Sequence, residues 1–100
     1  MAIGTLSGDL VLARDPAAVT RRLGRETVIV PVRNNVADLV SIYTLNETGS
    51  FIWDRCDGSA PLQEVVAGVV ATFSVDADQA WQDATELVND LLDEGLLVRR

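Results

Sequence analysis

Apolar and polar positions along this chain follow two different periods, and the change falls near Leu45. Before it, Glu26-Thr27-Val28-Ile29-Val30-Pro31-Val32 is dense in β-branched residues. That run predicts a strand, because branched side chains pack better on a pleated surface than against a helical turn. Pro31 has no N–H to give a ladder and belongs at an edge or strand end. Asn34-Asn35 supplies turn chemistry, and Asp38-Leu39-Val40-Ser41-Ile42-Tyr43-Thr44 follows as the third strand of a small antiparallel meander of two or three strands. Upstream, Leu10-Val11-Leu12 reads as a short strand that Val19–Leu23 extends or replaces, with a turn at Gly24. Residues 1–18 otherwise read as a loose lead-in to one domain over residues 19–100.

After Leu45 the period becomes helical. Asn46 is a good N-cap, Glu47 suits the first turn, and Gly49, Ile52, Trp53 and Cys56 fall at i, i+3, i+4 and i+7, making one buried face. Asp57-Gly58 stops this helix. Pro61 fits the first turn of a second helix, in which Leu62, Val65, Val66, Val69, Val70 and Phe73 line one side. Its valines make it weak in isolation, so packing must hold it. A third helix starts at Asp76, with Gln79 placed to reach back as a capping box and Val75 to staple onto Ala80. It runs to about Glu94, where Gly95 can turn left-handed and Leu96 can pack back on Leu91, before an apolar tail Leu96-Leu97-Val98. Strands first and then three helices make an α+β fold, a small antiparallel sheet followed by a winged-helix-like bundle.

Composition narrows the chemistry. A chain of 100 residues with 48% hydrophobic and 23% charged residues is sized for one globular domain. It has no His and no Lys, so the usual general base and any Schiff-base amine are missing. The single cysteine, Cys56, lies on the apolar face with Ile52 and Trp53 and reads as core. One Cys without His cannot build a zinc or iron site, and Asp76-Ala77-Asp78 lacks the further carboxylate and glycine of a calcium loop. No catalytic residue, metal site or cofactor site is expected. The chain has no glycine loop for phosphate and no apolar run or signal-peptide layout for a membrane, which points to the cytoplasm.

The net charge of −7 is uneven. Residues 1–45 carry five Arg and four acids, for +1, and residues 46–100 carry three Arg and eleven acids, for −8. Winged-helix domains read DNA with their last helix, yet here that helix holds Asp76, Asp78, Asp83, Glu86, Asp90, Asp93 and Glu94 and no cation. Phosphate would be repelled, so nucleic acid is not an expected partner. The same helix has two apolar stripes, Ala80-Ala84-Leu87-Leu91 and Trp81-Thr85-Val88-Leu92. Together they span about 160°, wider than the stripe of a surface helix. Either the core buries both, or one lines a groove whose other wall is the third strand, whose free edge would accept a partner strand. Such an edge or groove could also pair two copies.

Leu45-Asn46-Glu47-Thr48-Gly49-Ser50-Phe51-Ile52-Trp53, the Asp57-Gly58 stop, the apolar helix from Leu62 and Leu91-Leu92-Asp93-Glu94-Gly95-Leu96-Leu97 together resemble the PqqD-like family of peptide chaperones, also called RiPP recognition elements. The resemblance covers about residues 19–98. It implies three strands followed by three helices. It also implies that the leader of a ribosomally made precursor peptide pairs with the third strand, rests on the third helix, and is presented to a separate modifying enzyme, in many cases a radical S-adenosylmethionine enzyme whose clusters are its own. By position, the strand wall is Val40, Ile42 and Tyr43, and the helix wall is Trp81, Thr85 and Val88. Residues 1–18 have no counterpart in this resemblance. The acidic third helix departs from it and suggests a leader with basic residues near its apolar anchors. The alternative is a winged-helix interaction or regulatory domain that binds protein or, less in keeping with its charge, DNA.

Overall fold

A computed structural model describes residues 6–30 and 42–100. Its strands are β1 (Val11–Arg14), β2 (Val19–Leu23), β3 (Glu26–Val30), β4 (Tyr43–Leu45), β5 (Asp57–Pro61) and β6 (Leu97–Arg99), with helices α1 (Glu47–Arg55), α2 (Leu62–Phe73) and α3 (Ala77–Asp93). Among the described residues the strands form two antiparallel sheets, β2-β3-β4 and β5-β1-β6. Pro31, Asn34, Asn35 and the expected strand residues 38–41 lie outside the described residues.

The meander follows the sequence. β2 and β3 are joined by Gly24-Arg25, with Gly24 at φ +63° and Leu23 opposite Glu26. β4 pairs with β3 in the register Thr27↔Leu45, Val28↔Thr44 and Ile29↔Tyr43. One face of β3 is wholly buried, through Thr27 and Ile29, both 0% exposed.

The second sheet takes in the short strand expected at Leu10-Val11-Leu12, as β1, and adds two strands that the sequence did not suggest. The segment expected as a lead-in contains a central strand, β1, flanked by β5 and β6, and Leu6 and Leu12 belong to the core with Trp53, Leu62 and Leu97. The expected helix stop at Asp57-Gly58 is also the start of a strand, in which Gly58 takes φ +85° where the pairing with β1 shifts register. β5 has no strand-forming composition; its partner holds it in place. The expected apolar tail is likewise a strand, pairing Leu12↔Arg99 and Arg14↔Leu97.

The helix ends form largely as expected. Asn46 Oδ1 accepts from the Gly49 N–H at 2.8 Å, and Asp76 Oδ2 accepts from the N–H groups of Asp78 and Gln79 at 3.1 and 3.2 Å. Gln79 does not reach back to close a box. Its amide donates instead to Asp83 Oδ1 at 2.9 Å, one turn ahead. Gly95, at φ +74°, donates to Leu92 O, and Leu96 donates to Leu91 O, which satisfies the last carbonyls of α3. The α1 carboxyl end is closed by a side chain from the other sheet, since Arg14 Nη1 donates to the carbonyls of Trp53 and Asp54 at 2.9 and 2.8 Å.

A groove between an edge strand and the acidic helix

β4 is the last strand of its sheet, and beyond its pairing with β3 no strand lies on its other side among the described residues. Side chains alternate along it. Leu45 is buried and Tyr43 half-buried on the helix side, whereas Thr44 is exposed and Ile42, just before the strand, is 61% exposed. Ile42 therefore has the opposite parity to Tyr43 and the same parity as Thr44. Val40 lies outside the described residues.

Facing β4 is one flank of α3. Ala80, Ala84, Val88 and Leu91 form the buried stripe of this helix, with Val88 0% exposed. Val88 is thus a core residue, not part of an open wall. Two half-buried flanks remain. Leu87 and Asp83 lie on one, and Trp81 and Thr85 lie on the other, about 120 to 160° around the helix from Leu87. The flank beside β4 is that of Leu87. It encloses, with Thr44, Leu45, Gly49, Val75 and Asp83, a cavity of about 410 Å³ whose floor includes Ile52, Val69 and Ala80. The strand side of this cavity is Thr44 and Leu45, with Tyr43 next to them in β4 and outside its lining, and Trp81 and Thr85 lie on the far flank of the helix. Sequence periodicity leaves open which of the two stripes faces the strand, and it is the family resemblance that puts Trp81, Thr85 and Val88 there.

Gly49 explains how the walls come so close. A Cβ there would stand 3.2 Å from Leu45 Cβ, 3.3 Å from Asn46 Oδ1 and 3.4 Å from Leu87 Cδ2. The glycine of the helix-start motif is where α3 rests on α1. That close approach is the signal that could have singled out Leu87.

The groove is electrically negative. Partial burial raises the pKa of the Tyr43 phenol, and the carboxylates of Glu94, Asp90 and Asp93 raise it further. Among the described residues the ion pairs are Arg22–Asp54 and Arg25–Glu47, so Asp83, Asp90 and Asp93 have no cationic partner there. Cys56 lies elsewhere, buried in the core. Burial pushes its thiol up to about 11, so it is protonated and withdrawn from solvent at neutral pH. Among the described residues no cluster of three or more His, Cys, Asp or Glu could hold a metal ion, and no helix is long and apolar enough to cross a membrane.

Residues 26–97 match the family model described as coenzyme PQQ synthesis protein D (PqqD). Among solved structures, the chain resembles TbiB1, determined in complex with the TbiA(beta) leader peptide, with a TM-score of 0.71 and 22% identity over 85% of this chain and 93% of that one. No curated protein matches.

Proposed function

The chain belongs to the PqqD family, and from that premise we propose that it is a non-catalytic peptide chaperone that captures the leader of a ribosomally made precursor peptide by adding it as a strand to β4. The observation that carries this reading is the outer edge of β4, which has no strand partner among the described residues, beside a 410 Å³ cavity on the Leu87 flank of α3. Main-chain hydrogen bonds to the edge would supply affinity, and the cavity would select an apolar side chain. The fold it shares with TbiB1, a protein solved with a leader peptide, supports the same mode.

Leu87, Thr44 and Leu45 form the contact surface in this proposal, with Ile52, Val69 and Ala80 as the floor and Tyr43 next along the strand. Trp81 and Thr85, on the far flank of α3, take no part in it, and Val88 backs the wall from the core. The bound precursor is then held for a separate modifying enzyme, for which a radical S-adenosylmethionine enzyme in the cytoplasm is the proposed partner.

The test is a calorimetric titration with the leader half of any short peptide encoded beside this gene. Saturable 1:1 binding is expected, and it should vanish in Leu87→Asp or in Val75→Trp, which fills the cavity from a residue 37% exposed. Circular dichroism should show both variants folded. If no neighbouring peptide binds, even with the modifying enzyme present, the reading fails.

A further inference from the structure

Strand addition to β4 uses main-chain groups and is indifferent to sequence, so the side chains around the groove must decide which peptide is accepted. On the helix side the groove offers the cavity beside Leu87, with one carboxylate in its lining and another further along the same flank. Asp83 lines the cavity, and Asp90 lies further along the same flank, near enough to Tyr43 to act on its phenol. Neither is in an ion pair among the described residues; Asp83 receives only the Gln79 amide. The arginines paired to carboxylates, Arg22 and Arg25, serve Asp54 and Glu47 of α1 instead.

We propose that the occupant of this groove is a cationic strand: one large apolar side chain seated in the cavity beside Leu87, flanked on the same strand face by two Lys or Arg residues that pair with Asp83 and Asp90. The proposal rests on the leader-binding reading above and specifies the chemistry of the leader. Asp83 and Asp90 are seven residues apart, about 10.5 Å along the helix axis. Flanking residues two positions either side of an anchor are about 13.5 Å apart along a strand, a mismatch that long basic side chains can bridge. An acidic peptide of the same apolar content would meet uncompensated like charge and be rejected, so the rim discriminates by repulsion as well as attraction.

The experiment is the leader titration repeated at about 50 mM and about 500 mM NaCl, with wild type and with Asp83→Asn/Asp90→Asn, and with a leader whose Lys and Arg are replaced by Gln. Both carboxylates are exposed, so the double variant should fold normally. Wild-type affinity should fall roughly tenfold or more at high salt, and the double variant or the neutral leader should lose a similar factor at low salt together with most of the salt dependence. Binding that Leu87→Asp abolishes but that is unchanged by salt and by Asp83→Asn/Asp90→Asn would overturn the cationic-strand proposal and leave leader binding intact. Absence of Leu87-dependent binding at either salt would overturn both.

Discussion

Thr27 Oγ1 donates to Ser50 Oγ at 2.6 Å in a place where both side chains are all but sealed from water. This bond pins the middle strand of the meander to the second turn of α1, directly behind Leu45, to whose carbonyl the Ser50 hydroxyl is turned at 3.5 Å. The edge strand is therefore positioned from its rear by two hydroxyls as well as by its ladder.

Removing one hydroxyl leaves the other buried with a poorer partner. Thr27→Val and Ser50→Ala should each cost about 1 to 3 kcal/mol in urea unfolding, and the double variant clearly less than their sum. Additive losses would mean that the two hydroxyls do not act as a pair.

Gly68 lies under the Phe51 ring, where an added Cβ would come within 3.0 Å of two ring carbons. The ring has little room to yield, since its edge packs on Phe73 at 5.7 Å between centroids and Arg55 sits 4.5 Å over its face. Gly68→Ala gains about 1 kcal/mol of helix propensity but should cost about 1 to 3 kcal/mol in overpacking. A net loss of stability is expected, read as a lower thermal midpoint. A rise in midpoint would show the ring freer than its contacts imply.

Burial holds the Cys56 thiol at about 11 in the folded chain, against an ordinary 9.0, with Arg14 opposing the rise and Asp57 adding to it. Between those two values the unfolded chain gives up the proton that the folded chain keeps. The stability this burial confers is complete below about pH 9 and is lost as pH climbs through about 11. Urea midpoints measured up that range should fall more steeply for wild type than for Cys56→Ala. A thiol reagent at neutral pH should react at the rate of unfolding; immediate labelling of the native protein would contradict the burial.

The segment before residue 19 should be indispensable. It supplies the central strand of one sheet, two core leucines at positions 6 and 12, and the Arg14 cap of α1. A chain beginning at Val19 should lack a cooperative thermal transition, and Arg14→Met in the 100-residue chain should cost about 1.5 to 3 kcal/mol through two lost charge-assisted bonds, with Trp53 O still held by the Cys56 N–H. A stable fragment 19–100 would refute this account.

The three helices were legible because their ends carry local chemistry: Asn46 and Asp76 cap, Gly95 turns left-handed, and each signal acts within a few residues. The second sheet was not, because Ala13 meets Asp57 and Val98 across long stretches of chain, and β5 has nothing in its composition that favours a strand. The groove was half legible. Its elements, an edge strand and the third helix, follow from order and periodicity, but a wheel with two apolar flanks does not say which one faces the strand. Parity set a similar limit, since nothing local distinguishes the Ile42 face of β4 from the Tyr43 face.

In synthesis β1 is made first among these elements and completed last. Leu12 lies opposite Arg99, and Arg100 donates to Val11 O at 2.9 Å, so the pairing that finishes β1 waits until residues 97–100 are clear of the ribosome. Closing so long a loop is a slow step, for its entropy is spent before any contact rewards it. Until then Arg14 has no settled strand to stand on, the end of α1 lacks its guanidinium cap, and the floor beneath the edge strand is unfinished. A nascent chain should therefore be unable to seize its ligand until β6 has emerged and paired.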